Sequence, residues 1–238
     1  MKIAGLSSLA KKELTLYAQK FSLAPLDGEE QAVFEDNFNK LMGTTDSQVR
    51  RIFEERADTI VAGIMAIKEK LNRRKFRGMN PGDAEIGFGF IRPGFTKSGG
   101  LEGTDTRKNW SVTFDAIGTW VAYLDGTDED TPFHLHEDFG LIITHLVSQV
   151  SPNPFVREVH FQIGRVNLIP EDVSDILIGD NANQVAVFPI PTKIVLPEDE
   201  LLVTANGEAG TEHLKLGGLV VGLGRILKVE DLYALNWT

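Results

Sequence analysis

The chain contains no cysteine, which excludes thiol catalysis, cysteine-ligated zinc and disulfide stapling. Stability has to come from a packed core, with or without help from neighbouring subunits. No apolar run approaches the roughly 20 residues that a membrane-spanning helix requires. The opening MKIAGLSSLAKKELTLYAQKF interrupts its apolar stretch at Lys11, Lys12 and Glu13, too early for a secretory signal peptide. The expectation is a cytoplasmic product with no membrane span. Two motif classes are missing as well, the phosphate-cradling GxxxxGK[ST] and the nucleophile elbow GxSxG. The glycine-rich run GGLVVGLG at 217–224 does not follow the first strand of a βαβ unit, so strand glycines at close contacts explain it better than a nucleotide loop. No catalytic residue and no cofactor is expected, and the chain is read as a non-enzyme.

Positive charge is scarce beyond the first third. Residues 1–78 hold 14 Lys/Arg against 11 Asp/Glu, leaving 10 against 23 for the remainder of a chain whose net charge is -10. An acidic body repels nucleic acid, so any such contact belongs to the first third.

What is present changes character at Arg77-Gly78-Met79-Asn80-Pro81. Residues 1–78 are expected to form a helical N-terminal arm, and residues 79–238 a β domain. Short helices are expected over 8–21 and 28–41. A longer one is expected from about 46 to near 77, opened by a capping box between Thr45 and Gln48. Within it Phe53, Ala57, Ile60, Ile64, Ile67 and Leu71 recur at helical spacing and form one apolar seam, widened by Ile52, Val61 and Met65. Such a seam packs either on the chain's own β domain or on helices of other subunits. The helix ends in Lys68, Lys70, Arg73, Arg74, Lys75 and Arg77, more positive charge than a helix C-terminus requires. This basic cluster is a candidate contact for packaged nucleic acid or for an acidic neighbouring subunit.

After Pro81 the period becomes two. Ile86, Phe88 and Phe90 alternate with glycines, and Val159, Phe161 and Ile163 alternate with polar residues. About nine short strands separated by turn residues, with no amphipathic helices between them, predict a mainly β protein. The expected fold is an antiparallel β-sandwich or single jelly roll preceded by the helical arm.

Three groups bear on chemistry. In FHLHED, His134 and His136 on a strand would point to one face and could chelate a metal, as in cupins. The cupin pattern also needs a carboxylate several residues later and a further histidine, whereas here the position falls among Leu141, Ile142 and Ile143. His145 reads as a structural histidine. The loop containing Asp125, Asp128, Glu129 and Asp130 lacks the ordered spacing of a calcium loop. Trp110 and Trp120 would be the platform of a carbohydrate-binding module if exposed. A cupin-like metal enzyme and a carbohydrate-binding sandwich are thus the alternatives to a structural protein.

The stretch VAVFPIPTKIVLPEDELLVTANGEAGTEHLKLGGLVVGLGRIL, residues 185–227, resembles the terminal strands of jelly-roll subunits in virus and phage particles. The resemblance implies a viral capsid protein, a homo-oligomeric virion component whose β domain tiles a shell while the helical arm makes inter-subunit or interior contacts. Its partners would be copies of itself, other virion proteins and packaged nucleic acid.

Overall fold

In the computed structural model the described residues are 47–92, 111–123, 132–148, 155–173, 184–188 and 192–227. The expected helices at 8–21 and 28–41, the capping residue Thr45, the acidic loop 125–130 and Trp110 lie outside them. Among the described residues three helices come first: α1 (Ser47–Glu55), α2 (Ala57–Asn72) and the single turn α3 (Pro81–Ala84). Twelve strands follow: β1 (Ile86–Phe90), β2 (Ser111–Phe114), β3 (Val121–Ala122), β4 (Phe133–His134), β5 (Phe139–Ser148), β6 (Val156–Ile163), β7 (Val166–Asn167), β8 (Glu171–Asp172), β9 (Gln184–Val187), β10 (Lys193–Val195), β11 (Glu200–Gly207) and β12 (Gly210–Leu223).

The strands build two antiparallel sheets. The first has the order β1-β12-β5-β10, with β2 also pairing β12 and β9 also pairing β5. The second has the order β3-β11-β6-β7, with β4 also pairing β11 and β8 also pairing β6. Among these strands the chain passes from one sheet to the other six times, between β2 and β3, β4 and β5, β5 and β6, β8 and β9, β10 and β11, and β11 and β12. Most strands adjacent in a sheet are therefore distant in sequence, the hairpin of β6 and β7 excepted, which is the double Greek key of a jelly roll. The expected sandwich is observed.

Between the sheets lies a core that includes Phe114, Leu141, Leu146, Val159, Phe161, Phe188, Val203 and Leu214, all buried. Tyr123 spans it, its hydroxyl donating to the Leu214 carbonyl across from β3's sheet. At one edge Lys193 of β10 crosses to Glu171 of β8, its ammonium lying 4.9 Å from the centroid of the Phe161 ring and 4.5 Å from that of Phe188. Burial lowers the Lys193 pKa, and the Glu171 carboxylate opposes that shift.

The expected single helix is two. At Arg56 the backbone leaves the helix (φ -115°, ψ 16°), and its carbonyl accepts from the Ile60 amide and the Thr59 hydroxyl, each at 3.0 Å. The Arg56 guanidinium turns inward to donate to the Phe188 carbonyl. This break lets Phe53 of α1 and the apolar side of α2 follow the same sheet. Helix α2 then stops at Asn72, five residues short of the expected end, so Arg73, Arg74, Lys75 and Arg77 lie in the turns beyond it.

The outer faces of the sheets differ. On the first, Ile142, Ile194, Leu219, Val221, Leu223, Ile86, Phe88 and Phe90 pack with Phe53, Ile60, Ile64, Ile67 and Leu71 into a second apolar cluster. On the second, alternation sets Leu202, Thr204 and Asn206 of β11 and Glu158, His160 and Gln162 of β6 outward, because Leu201, Val203, Ala205, Val159 and Phe161 point into the core.

A bulge at Gly217/Gly218 shifts the β12–β5 register. His145 takes the space this leaves, since a Cβ at Gly217 would lie 2.1 Å from its Nε2. The ring contacts Phe53 edge-on, and its Nδ1 is 2.8 Å from the Thr144 hydroxyl. Desolvation, helped by Lys215 and Arg56, lowers its pKa to about 4, so it is neutral and structural.

Candidate assembly surface

Each residue of the apolar seam has a definite place. Phe53, Ile60, Ile64, Ile67 and Leu71 are buried against the chain's own first sheet, and Ala57 is half-buried at the start of α2. Of the two packings the spacing allows, the seam adopts the one in cis, because the sheet beneath offers an apolar face of matching extent. Phe53 stacks on Phe90 with centroids 6.1 Å apart. The seam is therefore not a free surface for a neighbour.

The basic cluster divides. Arg73 pairs with Glu69 at 2.6 Å, an exposed contact one helical turn away. Arg74 pairs with Glu137 at 2.9 Å and with Glu198, and the Glu198 hydrogen bond raises its pKa. It thereby joins the end of α2 to the loops before β5 and before β11. Lys70, Arg73, Lys75 and Arg77 are exposed, and Lys68 is half-buried.

Beside Arg74 lies a second ion pair that the sequence did not announce. Asp138 is 3% exposed and accepts two hydrogen bonds from the Arg225 guanidinium, one of them from Nε at 2.6 Å. Its carbonyl accepts from the Leu223 amide at 2.9 Å, so the end of β12 and the segment after it are fastened to the start of β5. The bidentate geometry raises the Arg225 pKa. The only advance signal was the juxtaposition of Glu137 and Asp138 with a distant arginine, which spacing does not encode.

His134 and His136 have different partners. His134 sits on β4 opposite Glu200, its Nε2 3.5 Å from the carboxylate and its side chain open to solvent. His136 lies beyond the strand, where its Nδ1 accepts from the Asp138 amide at 3.1 Å and its ring stacks on Phe139. Among the described residues no group of three or more His, Asp or Glu side chains is arranged to hold a metal ion. No helix among them is long and apolar enough to cross a membrane.

Among the described residues four large apolar side chains are exposed: Phe76 (60%), Ile117 (78%), Val166 (59%) and Ile169 (87%). Val166 lies on β7, at the end of the second sheet's strand order, and Ile169 follows three residues later. Pro170, next in sequence, removes one backbone donor from this margin, which disfavours open-ended strand addition.

No protein-family model matches the chain, and no curated protein matches its sequence. Solved structures similar to it include the infectious bursal disease virus VP2 subviral particle, at 12% identity and a TM-score of 0.28, covering 64% of this chain and 39% of that one. The structures of the Gx and Gt strains of that virus are similar at 11% and 13% identity, with TM-scores of 0.25 and 0.28. Each covers 64% of this chain, which spans 38% of theirs.

Proposed function

We propose that this chain is a structural subunit that assembles with copies of itself into a protein shell, a viral capsid protein whose jelly roll tiles the shell and which performs no catalysis. The observation that carries this reading is the exposed apolar margin at Val166 and Ile169. Two large aliphatic side chains three residues apart, Val166 on the edge strand β7 and Ile169 in the segment just beyond it, are stabilised when a neighbour covers them. Phe76 and Ile117 extend the same logic to other parts of the rim. The helices, having their seam in cis, serve as a fixed layer on the first sheet. The exposed cations around the end of α2 are where packaged nucleic acid or an acidic neighbour would be met.

Electron microscopy and light scattering of the purified protein test the reading. Closed particles, tubes or rings are expected, and Val166→Asp combined with Ile169→Asp should return the protein to monomers with its melting temperature unchanged. A wild-type protein that stays monomeric at high concentration would sink the proposal. If assembly encloses nucleic acid through the basic end, Lys70→Glu with Arg77→Glu should reduce the nucleic acid recovered in particles without reducing particle yield.

A further inference from the structure

The outer face of the second sheet carries a graded set of hydrogen-bonding side chains beside one indole. Across the strands, Ala122, Thr204 and His160 form one row, and Leu202, Gln162 and Asn167 a second. Asn206, Glu158 and Asp172 form a third, with the Asn206 carboxamide donating to Glu158. Trp120, two residues before Ala122 and so on the same face, meets the His160 ring edge-on at 6.1 Å. Thr204 and Asn206 are 4% and 5% exposed and form a floor, while Trp120, Glu158, His160 and Gln162 are half-buried around it.

We propose that this face binds a neutral oligosaccharide. A sugar hydroxyl both donates and accepts, so it is matched by the mixed set of carboxamide, imidazole and carboxylate groups that Gln162, His160 and Glu158 present. The indole offers an apolar plane for the C–H face of a pyranose ring. Adjacent strands are about 4.8 Å apart, close to the length of one pyranose residue, so a chain laid across the strands meets a new set of side chains at each sugar. Charge sets the class of sugar: the rows bring Glu158 and Asp172 and no Lys or Arg, which repels sulfated or sialylated glycans and nucleic acid. The inference is independent of whether the chain builds a shell.

Isothermal titration with cellohexaose, mannohexaose and chitohexaose tests it, with 3′-sialyllactose, a heparin hexasaccharide and oligolysine as comparators. Saturable binding of at least one neutral sugar is expected, weakened at least tenfold by Trp120→Ala and at least threefold by Gln162→Ala, each at an unchanged melting temperature. Should Trp120→Ala fail to fold, Gln162→Ala decides alone. The proposal is overturned if no neutral sugar binds at millimolar concentration, if only the anionic sugars or oligolysine bind, or if the folded variants bind as the wild type does.

Discussion

The two sheets share a core and differ in what lies on their outer faces. The first is apolar outside as well as inside and is roofed by α1 and α2, whereas the second is polar outside. The difference is written in the strands. In β5, FGLIITHLVS is buried along almost its whole length, as a strand covered on both sides must be. In β6, VREVHFQI alternates, with Val159 and Phe161 inside and Glu158, His160 and Gln162 outside. One sheet uses its outer face to pack against the chain's own helices, and the other carries mostly polar side chains there.

The largest effect follows from removing the roof. Deleting residues 1–78 would expose Ile142, Leu219, Val221 and Leu223 together with the β1 aromatics, a contiguous apolar patch. The expected outcome is an insoluble or molten β body, read by recovery in the soluble fraction and by chemical-shift dispersion. A soluble, well-dispersed fragment would break the comparison, because the helices would then be an accessory to the first sheet. A smaller cut at the same place is Phe53→Ala. Phe53 is fully buried, so its truncation should cost about 3–5 kcal/mol in urea unfolding.

Much of the fold was legible because its causes are local. Period-two runs located the long strands, and the turn residues between them implied an antiparallel sandwich. The strands that escaped notice, β4, β7 and β8, have two residues each, too few to show a period. The helix was read as continuous because helical spacing survives across Arg56. What breaks it is a tertiary contact, the guanidinium reaching Phe188. Whether the seam packed in cis or in trans was decidable in principle: the unbroken apolar runs in β5 and β12 require a cover on the outer face, and the seam is the apolar surface available to supply it. The rest of the candidate surface was harder to see. Arg74 and Arg225 meet their carboxylates only after the chain has folded, and the exposure of Ile169 depends on where β7 falls in the strand order.

The roofed face also predicts a pH response. His145 sits under Phe53 with its pKa lowered to about 4, against about 6.5 in the unfolded chain. Between those values the unfolded state takes up a proton that the folded state refuses, so stability falls as pH drops through that window, by about 3 kcal/mol in all. Glu212 acts in the opposite sense, because burial raises its pKa and the fold therefore gains as that carboxyl is protonated. Comparison with His145→Phe cancels the Glu212 contribution. Urea midpoints at pH 7 and pH 4.5 should converge more steeply toward zero for the wild type than for the variant. Equal slopes would show that His145 is not held neutral by the helix layer.

The smallest expected effect is the one that most sharpens the contrast. Gln162 is half-buried on β6 and donates a long hydrogen bond to the Gly164 carbonyl at 3.4 Å, while its row partner Asn167 is exposed. Replacing both with alanine removes polar groups from the second sheet's outer face without opening a cavity, so stability should change by no more than about 0.5 kcal/mol. For a chain of this size that is a melting shift of about 1–2 °C. A shift as large as that of Phe53→Ala would mean that the polar face is itself a packed interface within the subunit. A small shift leaves those side chains free of a structural duty, which is the condition under which a sheet face can be committed to binding.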